Sequence, residues 1–285
     1  MPTTTTFAKI RKFFPARAKD SHKGMNGKVL VIGGSSDLIG APALAASAAL
    51  AALRGGVDLC VVLAPEKAGL VINSYSPDII VRKVKGDFFT QKNLKMALGI
   101  AGKNDVVLLG NGMGREKQAL SFAKKFVQKC RRPVVLDADG IRACAGMKFG
   151  GIALITPHEK EFEIFSGKKS SGKTLKEKIA LVKKTAERHK CVVLLKGRTD
   201  IISDGAKIAL NNTGNAGMTK GGTGDILAGL CAAYISLGLN PFNAAQAAAF
   251  VNGKIGEGLL REKGFGFIAS DFAQKIPAWT KRLLH

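Results

Sequence analysis

The chain has 285 residues, enough to bury one large α/β core, and its 46% hydrophobic and 23% charged residues are ordinary for a folded protein. The net charge of +23 favours anionic ligands, but the basic residues are spread along the chain. With two Tyr and one Trp, a dedicated stacking platform for nucleic acid is disfavoured.

The opening residues, MPTTTTFAKIRKFFPARAKD, contain no continuous apolar segment and are expected to form a peripheral arm over residues 1–14. Continuous apolar runs follow at Lys28 to Gly34, Val57 to Pro65, Asp105 to Gly112, Pro133 to Gly140, Gly151 to His158 and Lys190 to Gly197. Unbroken runs of this kind predict strands buried on both faces. Helical patterns lie between several of them, at Ala41 to Arg54, Glu116 to Lys129 and Thr174 to His189. The alternation predicts a mostly parallel sheet with helices on both sides. Beyond Lys207 the pattern turns helical, at Gly222 to Leu237, Pro241 to Leu260 and Asp271 to Ala278. No linker or repeat divides the chain, so a single domain over 1–285 is expected. No stretch is long and apolar enough to cross a bilayer. The five cysteines have no metal-ligand spacing and read as buried reduced thiols, which fits a cytoplasmic protein without a membrane role.

Two stretches compete for a phosphate. GKKSSGKT, Gly167 to Thr174, matches the P-loop pattern letter for letter. A P-loop follows a buried strand, however, and here the preceding EKEFEIF has the amphipathic pattern of a helix. The stretch is therefore read as a basic, mobile surface connection. The better phosphate site is KGGTGDILAG, where Gly222, Thr223 and Gly224 open a strongly helical segment and Asp225 sits in its first turn. Bare N–H groups at a helix start hold anions, and a carboxylate there can take a proton from an attacking hydroxyl. Asp225 alone also fits a simple helix-start acid.

SHKGMNGKVLVIGGS, IGAPALAASAALAALRGG, GNGMG, VVLDADG, ITPHEKEFEIF, VVLLKG and GNAGMTKGGTGDILAG occur in one order over nearly the whole chain. Together they resemble the ADP- or ATP-dependent NAD(P)H-hydrate dehydratases of the ribokinase-like superfamily. The resemblance implies a three-layer α/β/α sandwich with a mostly parallel central sheet. It implies repair of the S-form of hydrated NADH or NADPH, by phosphorylating the ring hydroxyl from ADP or ATP and then eliminating phosphate. Asp225 is then the catalytic base, with Gly222, Thr223 and Gly224 holding the phosphoryl group. Ala41, Gly112 and His158 line the substrate. Lys196, Gly197, Arg198, Thr199 and Asp200, together with Gly224, meet the nucleotide, and Glu161 organises Mg²⁺ through water. Asp137 and Asp139 support the same region or cap a turn. The resemblance further implies a homo-oligomer, a tetramer among its states, with the Ala-rich helix near Ala41 to Arg54 available to pack on another subunit. The chain has no room for an amino-terminal epimerase domain, so a separate NAD(P)H-hydrate epimerase is the expected functional partner. No specific nucleic acid is expected. Departures from the family pattern are Met25 after HKG, Ala216 in GNAGM, Lys220 before the glycines and KGRTD in the nucleotide segment. The alternative reading is a ribokinase-like kinase of a vitamin precursor or sugar. A basic nucleic-acid-binding protein that keeps the fold ranks below it.

Overall fold

Alternating residues of each predicted core strand face opposite apolar layers. The computed structural model describes residues 2–36, 38–53 and 56–284. Its strands are β1 (Thr3–Thr4), β2 (Lys28–Ile32), β3 (Leu59–Pro65), β4 (Ile80–Val84) and β5 (Val106–Leu109). They continue with β6 (Val134–Leu136), β7 (Ala153–Ile155), β8 (Val192–Leu195), β9 (Asp200–Ser203) and β10 (Ile208–Asn211). The helices are α1 (Phe7–Arg11), α2 (Gly40–Leu53), α3 (Glu66–Tyr75), α4 (Leu94–Ala101), α5 (Lys117–Lys129) and α6 (Asp139–Ala143). After them come α7 (Glu159–Ser166), α8 (Leu175–His189), α9 (Thr223–Ser236), α10 (Pro241–Lys263) and α11 (Ala269–Leu284). The end of the helix expected to reach Arg54 lies outside the described residues.

The strands form one sheet in the order β1-β10-β9-β8-β7-β6-β5-β2-β3-β4. From β4 to β8 neighbours run parallel, and only β9 opposes its two neighbours. Val29 and Val31 of β2 pack with α2, α9, α10 and α11, whereas Leu30 and Ile32 pack with α5, α7 and α8 on the other face. Each such fully buried side chain contributes about 1.5–3 kcal/mol, which explains why continuous apolar runs became the central strands. The three-layer sandwich is as expected.

One expectation changes. The N-terminal arm is not peripheral: β1 extends the sheet beside β10, the Thr5 N–H donates to Leu210 O at 2.8 Å, and Ile10 is fully buried. The Ala-rich α2 spends its small residues inside the chain. It lies so close to α9 that a Cβ on Gly229 would stand 2.5 Å from Ala45 O and 2.7 Å from Ala48 Cβ. Seven of its alanines, from Ala43 to Ala52, are buried within the chain, while Ala41, Leu44, Ser47, Leu50 and Leu53 form its half-exposed side.

Candidate active site

The sheet's parallel strands deliver their polar tails to one edge. Beyond β5 stands Asn111, beyond β6 Asp137, beyond β7 Thr156 and His158, and beyond β8 Lys196. Into the same place α9 brings its N-terminus. Gly222 precedes it with a left-handed φ of 93°, and a Cβ there would lie 2.5 Å from Leu44 Cδ1 and 2.7 Å from Ala269 Cβ. Only glycine lets the chain turn so tightly into the helix. The first-turn N–H groups of Gly224 and Asp225 have no carbonyl one turn back within the helix and point out of its end.

Asp225 is held by Asn111, whose Nδ2 donates to Asp225 Oδ1 at 2.8 Å and to Asp137 Oδ2 at 3.2 Å. The other oxygen of Asp137 accepts from Thr156 Oγ1 at 2.8 Å and from Lys196 Nζ at 3.1 Å. Lys196 Nζ also lies 3.9 Å from Glu161 Oε2, and a Cβ on Gly224 would come within 3.2 Å of it. Lysine and glycine helix start therefore meet, and an ammonium gathered beside bare N–H groups is an arrangement that can hold an anion. Burial pushes the Asp225 carboxyl up to about 7, and repulsion from Asp137 adds to it; the Asn111 hydrogen bond and Lys196 oppose the rise. Burial would lower the Lys196 pKa, but Asp137 and then Glu161 outweigh it and hold the ammonium above its ordinary value. A half-ionised carboxylate beside a firmly charged lysine suits a base working on a phosphate acceptor at neutral pH.

The remaining expected residues divide. A Cβ on Gly112, where φ is 61°, would stand 3.1 Å from Ala41 Cβ, so these two are brought together. His158 is a helix cap as well: its Nδ1 accepts from the N–H groups of Lys160 and Glu161, while Glu161 Oε2 accepts from the His158 N–H at 2.9 Å. The other ring nitrogen, Nε2, lies 3.4 Å from Glu161 Oε1, and the side chain is about half exposed. Thr223 does not offer its hydroxyl to a ligand, because Oγ1 donates to Met218 O and Lys220 O at 2.8 and 2.9 Å. Only its backbone is left free to face an anion at the helix start. Asp200 likewise serves its own loop, with Oδ1 taking the Gly197 N–H and Oδ2 taking Asn211 Nδ2, both at 3.0 Å. Thr199 Oγ1 donates to Asn212 Oδ1 at 2.9 Å, which leaves Lys196, Gly197 and Arg198 as the segment's ligand-facing candidates. Asp139 accepts from the Gly114 N–H at 3.0 Å and shapes the GNGMG loop. Between Asp137 and Asp139, Ala138 takes a φ of 47°, a strain of about 1–3 kcal/mol stored at the site. Lys220 turns away from the anion hole and is tied to the carbonyls of Phe265 and Phe267.

GKKSSGKT joins α7 to α8 on the surface. The N–H groups of Ser170 and Ser171 donate to Glu163 Oε1 at 2.8 and 2.9 Å, and Thr174 caps α8 through Glu177. These bonds hold Glu163 down to about 2 and tether the connection instead of leaving it loose. The N–H groups a phosphate would need are thus already engaged.

In GNGMG the resemblance gives a role to Gly112 alone, yet Asn111 beside it is fully buried and joins the two carboxylates. Asn111→Leu removes the donor shared by Asp137 and Asp225. The expected result is a rise of the acidic limb of the pH–rate profile by about one unit, the scale of one hydrogen bond to a charged group. An unmoved limb would assign Asn111 to packing alone.

The sandwich is ribokinase-like. It superposes on a ribokinase-like superfamily protein from Enterococcus faecalis with a TM-score of 0.84 at 22% identity, over 99% of this chain and 96% of the other. A Bacillus subtilis ADP/ATP-dependent NAD(P)H-hydrate dehydratase, co-crystallized with ATP/Mg²⁺, superposes with a TM-score of 0.82 at 24% identity, over 99% of both chains. Within that class, the chain belongs to the NAD(P)H-hydrate dehydratase family, whose model matches residues 29–278. A bifunctional NAD(P)H-hydrate repair enzyme of Pyrobaculum aerophilum is 41% identical over 268 residues, covering 93% of this chain and 53% of the relative. An ADP-dependent (S)-NAD(P)H-hydrate dehydratase of Cenarchaeum symbiosum is 35% identical over 275 residues, covering 95% and 94%. The chain spans about half the length of the bifunctional relatives it matches.

Proposed function

We propose that the protein returns the S-form of hydrated NADH or NADPH to the dihydronicotinamide, with ADP, or alternatively ATP, as phosphoryl donor. The observation that carries this reading is Asp225, a half-buried carboxylate whose pKa is raised to about 7, set at a glycine-opened helix start beside Lys196. Asp225 takes the proton of the ring hydroxyl as its oxygen attacks the donor's terminal phosphorus. Gly222 and Gly224, the Thr223 backbone and Lys196 hold the charge that develops on the phosphoryl oxygens. Phosphate then leaves with the C–O bonding pair, a proton is lost from the neighbouring ring carbon, and the ring double bond is restored. The sum is loss of water from the hydrate and hydrolysis of one phosphoanhydride.

Ala41 and Gly112 border the ring pocket in this reading, and Lys196, Gly197 and Arg198 meet the nucleotide. Among the described residues no group of three or more His, Cys, Asp or Glu side chains is arranged to hold a metal. Glu161 and Asp137 nevertheless fit Mg²⁺, which keeps several waters and is carried on phosphates: their carboxylates flank Lys196 where hydrated Mg²⁺ could be met through water. Bound there, Mg²⁺ would neutralise phosphate charge. No helix among the described residues is long and apolar enough to cross a membrane, and five free buried cysteines favour a reducing cytoplasm. A homo-oligomer belongs to the same reading. So does pairing with an epimerase activity, because the S-form alone is the substrate. The test is incubation of the protein with hydrated NADH, Mg²⁺ and ADP or ATP while following dihydronicotinamide absorbance. Recovery that needs nucleotide is expected. No recovery with either nucleotide overturns the proposal.

A further inference from the structure

The strand order carries a feature that the chemistry at Asp225 does not use. Chain order runs outward from β2 through β3 to β4 on one side, and from β5 through β6 and β7 to β8 on the other, so it reverses between β5 and β2. The loop after β2 leads into α2 on one face of the sheet, and the loop after β5 leads into α5 on the opposite face. Two loops that part in this way open a crevice beyond the strand ends, the place where open α/β sheets take their ligands. Its floor is closed by the Gly34 N–H, which donates to Asn111 O at 2.9 Å. Further out the loops still face each other, because a Cβ on Gly114 would stand 3.7 Å from Ser35 Cβ.

Arg115 stands at the outer end of the second loop, next to Gly114, with its side chain 75% exposed. Its Nε lies 3.8 Å from Asp139 Oδ1, beyond hydrogen-bond distance, and Asp139 Oδ2 already accepts the Gly114 N–H at 3.0 Å. The carboxylate therefore steers the guanidinium without saturating it. No other ion pair or hydrogen bond of Arg115 occurs among the described residues. Beside the first loop the cation is Lys67, and it is closely paired, 2.9 Å from Asp87 Oδ1; the Asp87 carbonyl in turn accepts the Ser36 N–H at 3.1 Å. The crevice thus offers one arginine whose planar fork is free. Such a fork meets a phosphate through two parallel hydrogen bonds, a geometry that lysine does not reproduce.

We propose that Arg115 is a specificity residue that reads the diphosphate of the hydrated dinucleotide. With the ring bordered by Ala41 and Gly112, the fork takes the phosphate attached to the ribose that carries the ring. The identity of this ligand rests on the dehydratase reading; the phosphate contact itself does not require the reaction.

The experiment uses the full chain without a phosphoryl donor, so nothing turns over. Two probes are titrated by calorimetry: hydrated reduced nicotinamide mononucleotide, and the matching hydrated riboside, which lacks only the 5′-phosphate. The unaltered protein is expected to bind the mononucleotide more tightly by about tenfold, the worth of one charge-assisted hydrogen bond. Arg115→Gln changes an exposed side chain and is expected to erase that preference while leaving the riboside affinity unchanged. Arg115→Lys, which keeps the charge but not the fork, is expected to retain part of it. Equal affinity of the unaltered protein for the two probes, or an equal loss for both in Arg115→Gln, would overturn the proposal. So would a preference that survives Arg115→Gln and vanishes in Lys196→Met, because the phosphate would then sit at the α9 start. Failure of the dehydratase reading shows separately, as no return of absorbance with either nucleotide while the phosphate preference remains.

Discussion

Asp225→Asn is expected to lower kcat by about 10³-fold, the usual worth of a positioned general base, and to raise the protein's Tm at pH 8. Loss of activity follows from chemistry: the amide keeps the shape and can still meet Asn111, but it cannot accept the hydroxyl proton. The gain in stability follows from the buried charge. The carboxyl's pKa is raised in the folded protein, from the ordinary 3.8 to about 7, so the folded state keeps a proton that the unfolded chain releases across that interval. The raised pKa thus contributes stability that is fully present below 3.8 and is lost as pH rises through about 7. Above it the charged carboxylate opposes folding, and the neutral amide removes that cost. A gain of the order of 1 kcal/mol appears as about 2–4 °C in Tm at pH 8, shrinking to nothing or reversing near pH 4. Thermal melts at the two pH values, beside the absorbance assay, check both halves. Lys173→Ala is the control: its loop's N–H groups serve Glu163, so activity is expected to stay near that of the unaltered protein. Preserved activity in Asp225→Asn, or its loss in a folded Lys173→Ala, reverses the assignment of the phosphate site.

A functional site that is unstable as built also explains which parts of the molecule were legible beforehand. The six core strands announced themselves because both faces are buried, so their sequences are unbroken apolar runs. β4 reads IVRKV, with four of its five residues exposed or half-exposed at the sheet edge, and no apolar run marks it. β1 and the β9–β10 pair are two to four residues long and gain stability by pairing with an existing edge, which local sequence does not encode. The same distinction holds within the site. Gly222, Gly224 and Asp225 are neighbours in sequence, and glycines before a helix carry a backbone signal that can be read. The bridge from Asp225 through Asn111 to Asp137 spans three separate elements. Each of its residues alone looks like a turn former, and only the sheet order makes them one cluster. Conversely, the side chains of Thr223 and Asp200 are consumed by backbone and loop bonds that residue type does not reveal.

Lys196→Met is expected to lower kcat/KM by about 10²–10³-fold, comparable to removal of one donor from an oxyanion hole. The lysine pairs with both Asp137 and Glu161, and it abuts the Gly224 turn. Methionine fills a similar volume, so packing is largely retained while the charge is lost. Three effects then act together. The phosphoryl oxygens lose a cation, Asp137 and Glu161 lose their shared counter-charge, and Asp225 loses an attraction that holds its pKa down. The sign of the last effect is fixed: without Lys196, the raised pKa of about 7 climbs further, so the acidic limb of the pH–rate profile moves to higher pH. A mere structural defect would lower activity equally at all pH values. Lys196→Arg retains the charge and is expected to keep the limb near its original position, even if the bulkier guanidinium, crowded by Gly224, reduces turnover. Rescue of the pH limb by arginine but not by methionine therefore separates the electrostatic role of Lys196 from its role in packing.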